Sequence, residues 1–171
     1  MFTWLIVDGY NVINDWPDLK SLKEVSLHLA RLRLIEILQE FSPLLWHKIT
    51  IVFDAYRTEA VKESREDWDN VEVIYTKEGL TADAYIERLV YQHACPELLI
   101  EVASSDYLEQ RLVLWKGGKR IPARELKERL EACKKELSKG HLRKLAPRNT
   151  LGSSLPKSTR FVLEQWRRRR S

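Results

Sequence analysis

Trp4-Leu5-Ile6-Val7-Asp8-Gly9-Tyr10-Asn11 decides the fold: four apolar residues make a short buried strand, and an acid followed by a glycine ends it abruptly. The same step from apolar run to carboxylate recurs at Ile51-Val52-Phe53-Asp54. It recurs again, after a short polar extension, at Val102-Ala103-Ser104-Ser105-Asp106. A fourth acid, Asp83 in Thr81-Ala82-Asp83, opens a helix. Parallel α/β sheets gather strand ends along one edge, where ligands bind. Four carboxylates distant in sequence are therefore expected to meet in one anionic pocket.

Further strands are expected at Lys48–Phe53, Val71–Tyr75 and Leu98–Ala103, with residues 8–11 as a loop. Leu27, Leu34, Ile35 and Leu38 recur at helical spacing and predict one helix over 21–41, stopped by Ser42-Pro43. Residues 56–70 are highly charged and weakly periodic, and no element is assigned to them. Thr81 suits the N-cap of a helix over Ala82–His93, ended by Cys95-Pro96. Residues 106–115 read as another helix, stopped by Gly117-Gly118. Pro122 fits the first turn of a helix reaching about Ser138. After Gly140 the pattern degrades into a loop or arm, with a last short helix over 158–169. No internal repeat is visible. Alternation of strand and helix predicts a three-layer α/β domain over 1–138, a central mainly parallel sheet flanked by helices, followed by an arm over 139–171.

Composition supports a folded domain. The chain has 171 residues, 44% hydrophobic and 32% charged, and no apolar run approaches the roughly 20 residues that span a bilayer. Its amino terminus lacks a basic n-region, so the reading is a cytoplasmic protein without a membrane partner. Cys95 and Cys133 lack metal-ligand spacing and read as reduced thiols. The net charge of +4 hides a division. From Lys134 onward twelve Lys or Arg face only Glu136 and Glu164, a net +10, so the first 133 residues carry −6. An acidic body thus bears a basic arm suited to polyanions. No sequence feature indicates an oligomeric state.

Crowded carboxylates select their own chemistry. At an effective dielectric near 20, two charges about 4 Å apart repel by roughly 4 kcal/mol, so such a pocket takes up protons or a cation. Oxygen-only ligands suit Mg²⁺ or Mn²⁺, and the chemistry that follows is phosphodiester hydrolysis by metal-activated water. Other readings stand beside this one. Asp8 could make an Asx-turn, Asp83 and Asp106 could serve helix starts, and Asp54 could cap the next segment. Glu87, four residues after Asp83, is either a solvated face or a ligand through water. Trp166, next to Arg167, is a core residue or a platform for a base. No Gly-x-Ser-x-Gly elbow accompanies Ser104 and Ser105, and His28, His47, His93 and His141 lack metal spacing.

The ordered series Asp8-Gly9-Tyr10-Asn11, Phe53-Asp54-Ala55, Thr81-Ala82-Asp83 with Ile86-Glu87, Ser105-Asp106 with Glu109-Gln110, and Ile121-Pro122-Ala123-Arg124-Glu125-Leu126 closely resembles the YacP-like NYN-domain family of the PIN-like nuclease superfamily. The resemblance covers about residues 3–135. It implies a PIN-like fold and a divalent-metal-dependent endoribonuclease acting on single-stranded RNA, with the ribosome as a partner by analogy. Carried over by position, Asp8, Asp83 and Asp106 look like the metal-binding carboxylates. Asp54 looks like a rim residue or fourth ligand, and Asn11 like a polar partner that orients Asp8 or the scissile phosphate. Ser104-Ser105-Asp106 stands where the family usually has Thr-Ser-Asp. The basic segment after Lys134 matches none of these motifs; Arg143, Lys144, Arg148, Arg167 and Arg168 are the RNA-binding candidates there. The competing reading is a non-catalytic RNA- or ribosome-binding module with a vestigial acidic pocket. An aspartate-nucleophile phosphatase would need a second acid where Tyr10 stands, and a dinucleotide-binding domain a Gly-x-Gly-x-x-Gly after the first strand.

Overall fold

The apolar run of the opening stretch becomes β1 (Phe2–Asp8), an interior strand of a six-stranded sheet in a computed structural model that describes residues 1–54, 63–105 and 118–138. It pairs in parallel with both β2 (Lys48–Phe53) and β5 (Leu98–Ala103). Helices cover both faces, which is why its residues read as a nearly continuous apolar run. Beyond β2 lies β4 (Val71–Tyr75), parallel, and then β3 (Ser64–Trp68), antiparallel at the edge; beyond β5 lies β6 (Lys119–Ile121), parallel. The order is β3-β4-β2-β1-β5-β6. The mainly parallel three-layer architecture expected from sequence is the one observed.

Five helices are described: α1 (Gly9–Asp15), α2 (Pro17–Val25), α3 (Leu27–Leu45), α4 (Ala82–His93) and α5 (Ala123–Ser138). Alternation of side chains along a strand sorts them by face. Trp4 meets His93 of α4, whereas Phe53 meets Tyr10 of α1 and Tyr75 meets Arg31 of α3. Trp4 is in register with Lys48, so Trp4 and Phe53 point to opposite faces. One face is thus covered by α4 and the other by α1 and α3.

Several buried polar groups on each face are partnered, as burial favours. Trp4 Nε1 donates to Thr50 Oγ1 at 2.9 Å, and Lys48 pairs with buried Glu72 at 2.8 Å. On the other side, buried Glu101 accepts from Trp46 Nε1 at 2.8 Å and from Arg129 of α5 at 3.1 Å. Trp16 Nε1 donates to the Ala123 carbonyl at 2.8 Å, tying the α1–α2 junction to the start of α5.

Three expectations are corrected. Residues 8–11 are not a loop, because β1 runs through Asp8 and α1 begins at Gly9. The single helix over 21–41 is two. α2 starts earlier, with Pro17 at its first turn, and the chain breaks at Ser26, whose hydroxyl accepts from Leu29 N at 3.3 Å and caps α3. Nor does Ser42-Pro43 stop α3, which continues to Leu45. β3 and β6 were not anticipated. β3 is almost wholly exposed along Ser-Arg-Glu-Asp, so no apolar alternation marks it, and β6 has only three residues.

The chain divides into two units, Met1–Glu131 and Ala132–Ser171. The sheet lies in the first; of the second, residues 132–138 belong to α5. Among the described residues no helix is long and apolar enough to cross a membrane. The helices expected over 106–115 and 158–169 lie outside the described residues.

Candidate active site

Strand register brings the acids to one edge. Asp8 lies opposite Val52 of β2, and Asp54 directly follows Phe53 at the end of the same strand. Asp8 is 7% exposed and caps α1, its Oδ1 accepting from Asn11 N at 3.1 Å. The abrupt turn from strand to helix depends on Gly9. Any Cβ there would collide with the ring of Phe53, itself fully buried. Asn11 then uses its own side chain: Oδ1 accepts from the backbone N–H of Ser105 at 2.7 Å. One residue thus ties the ends of β1 and β5 together, fixing the backbone immediately ahead of Asp106 in sequence.

Asp83 arrives from the opposite direction, in the first turn of α4. Thr81 caps that helix, its Oγ1 accepting from Ala84 N at 3.2 Å, and a turn with Gly79 at φ +82° precedes it. The carboxylates face an open pocket of about 490 Å³, lined among others by Asp8, Asn11, Asn14, Asp54 and Asp83. Burial pushes the Asp8 carboxyl up from 3.8 to about 7. The Asn11 N–H opposes that shift, whereas the negative charge of Asp83, a hydrogen bond shared with it, and the charge of Asp54 reinforce it. Asp8 and Asp83 are therefore close enough to share one proton.

The structure places Asp8, Asn11, Asp54 and Asp83 around one pocket, as the sequence series suggests. Glu87 is not among the pocket's lining residues. Asp106, Arg143, Lys144, Arg148, Arg167 and Arg168 lie outside the described residues. Sequence reasoning missed Tyr10 and Asn14, which also line the pocket. Their spacing of four would have marked them as neighbours on one face had 9–15 been read as a helix. His47 accepts from Thr3 N at 3.2 Å and His93 packs edge-on against Trp4, so both have packing roles.

Among the described residues, no cluster of three or more His, Cys, Asp or Glu assembles a cation site unaided. The donor chemistry present nonetheless fits a hard ion. Mg²⁺ keeps several waters and is bound by one or two carboxylates plus substrate phosphates, and Asp8 with Asp83 offers such a pair.

A mainly parallel sheet with helices on both faces and carboxylates at the ends of its central strands is the arrangement expected of the PIN-like nuclease class. The chain belongs to the YacP-like NYN domain family, whose model matches residues 5–168. That match runs past residue 135, through most of the basic segment. The chain is 36% identical over 165 residues to the uncharacterized protein YacP of Bacillus subtilis strain 168, covering 96% of each. It is also similar to the crystal structure of Rae1 (YacP) from Bacillus subtilis, with a TM-score of 0.69, 36% identity, and 96% of this chain and 94% of that one covered. A tryptophan-to-leucine mutant of the same protein gives a TM-score of 0.69 at 34% identity, covering 95% of this chain and 99% of that one. NYN domains have the PIN-like nuclease fold, so the chain is nuclease-like and its class is RNA-related.

Proposed function

We propose that this protein is a divalent-metal-dependent endoribonuclease that cuts single-stranded RNA in the cytoplasm, mRNA on the ribosome included. The observation that carries the reading is the approach of Asp8 and Asp83, from separate elements, across an open pocket at the carboxyl edge of the sheet. Membership of a nuclease-like family supports it.

Asp8 and Asp83 would hold Mg²⁺ or Mn²⁺, with Asp54 and Asp106 as further carboxylates. When bound, the ion supplies an activated water and neutralises charge building on the phosphate. Asn11 fixes the geometry on the protein side, since its amide holds Asp8 through the backbone and Ser105 through the side chain. Burial keeps Asp8 in one orientation. Residues 1–138 form the nuclease domain in this proposal, and the basic arm over 139–171 contributes RNA or ribosome contacts through Arg143, Lys144, Arg148, Arg167 and Arg168.

The test is to incubate purified protein with naked and ribosome-engaged transcripts, with Mn²⁺ or chelator, and to map the cut ends. Wild type is expected to leave 3′-hydroxyl and 5′-phosphate ends in Mn²⁺ only. The Asp83→Asn protein is expected to leave the RNA intact. Cleavage by Asp83→Asn at the wild-type rate would overturn the proposal, and ribosome binding without any cutting would favour a non-catalytic module.

A further inference from the structure

An anionic pocket repels phosphates, and cations at its rim would add attraction to that of a bound metal ion. Two cations beside the pocket differ from most charged neighbours in their partners. Arg31 of α3 donates from one terminal nitrogen to the Tyr10 hydroxyl at 3.4 Å, and its guanidinium lies 5.6 Å over the Tyr75 ring. Its Nε is buried without a hydrogen-bond partner among the described residues. Lys23 of α2 donates to Asn14 Oδ1 at 2.6 Å. Both acceptors are neutral, and both belong to residues of α1 that line the pocket. By contrast Arg33, Lys48, Arg65 and Arg129 are each paired with a carboxylate. Among the described residues no carboxylate forms an ion pair with Arg31 or Lys23.

We propose that Arg31 and Lys23 bind phosphates of the RNA backbone beside the pocket, a reading that rests on the ribonuclease proposal above. Their anchors, Tyr10 and Asn14, are four residues apart, one turn of α1 and about 6 Å along its axis. Residues four apart share one side of a helix, so both charges are tied to the same side of α1. Hydrogen bonds to neutral oxygens position the two charges without cancelling them. Cation–π attraction to the Tyr75 ring, 5.6 Å away, helps position the guanidinium and leaves further N–H donors for a phosphate.

Binding of a fluorescein-labelled ten-nucleotide oligouridylate to the full chain, in chelator and over a salt series, tests this directly. A phosphate contact adds about 0.7 to the log-log salt slope for single strands, so losing one weakens binding about fivefold at 0.1 M salt. Arg31→Gln and Lys23→Gln are each expected to lower the slope by about that amount, and the double variant to bind about 25-fold more weakly. Arg31→Lys and Lys23→Arg should keep the wild-type slope. Wild-type slopes in the Gln variants would overturn the inference, as would equal losses in the charge-retaining pair. If Arg31→Gln melts before assay temperature, Lys23→Gln decides alone. Cleavage of the same RNA by wild type in Mn²⁺, measured separately, distinguishes the two failures. RNA cutting with unaltered slopes defeats only this inference, and reduced slopes without any cutting defeat only the ribonuclease reading.

Discussion

Replacing Asp8 by Asn should make the metal-free protein more stable while removing its chemistry. Asp8 rises from 3.8 unfolded to about 7 folded. Between about pH 4 and pH 7 the folded chain therefore holds a proton that the unfolded chain has released, and stability falls as pH rises through that window. At about 1.4 kcal/mol per pH unit, the ionised carboxylate costs the fold about 4 kcal/mol at pH 8.5 and about 1.5 kcal/mol at pH 5. An amide is nearly isosteric, avoids this cost, and keeps an oxygen to accept from Asn11 N. For a chain of this size 1 kcal/mol moves the melting temperature by about 2–4 °C. Asp8→Asn should then melt roughly 10 °C above wild type at pH 8.5 in chelator, with less than half that advantage at pH 5. Saturating Mn²⁺ should raise wild type selectively, by about 2.7 kcal/mol at a hundred times its dissociation constant. Thermal melts followed by circular dichroism suffice. A variant that melts with or below wild type at pH 8.5 would refute the reasoning, because Asp8 would then carry no charge penalty.

Three other substitutions probe the supports of the site. Gly9→Ala drives a methyl group into the Phe53 ring and should cost about 1–3 kcal/mol in urea denaturation, with loss of RNA cleavage as Asp8 is displaced. Asn11→Ala removes the acceptor for Ser105 N; stability should fall by about 1 kcal/mol and the cleavage rate at least about tenfold, the larger loss showing that the tie between strand ends serves the site. Thr81→Ala deletes the α4 cap and should cost about 1 kcal/mol, read as an earlier urea midpoint.

Residues whose physics is local could be read from the chain. β1, β2, β4 and β5 announce themselves because burial on both faces favours mostly apolar runs, interrupted only by polar residues such as Thr50, Glu72 and Glu101, and the Thr81 cap follows from side-chain chemistry alone. Residues whose role depends on a distant neighbour could not. Gly9 looked like a turn residue, yet its missing side chain answers to Phe53, forty-four positions away. Ser26 breaks what periodicity presents as one helix, because a hydroxyl that caps and a hydroxyl on a helix face look alike in sequence. β3 carries polar residues on both faces, as an exposed edge strand can, and so lacks the alternation that would reveal it. For the site, strand-end position was enough to nominate Asp8 and Asp54. The contribution of Asn14 needed the helix α1 that the Asp-Gly step conceals.

The most direct measurement is a Mn²⁺ titration of the full-length protein followed by electron paramagnetic resonance, comparing wild type with Asp8→Asn and Asp83→Asn at pH 8. Wild type is expected to immobilise the ion, and either substitution to leave the spectrum of free aqueous Mn²⁺ over the same concentrations. Equal immobilisation by all three proteins would contradict the claim that these two carboxylates hold the cation.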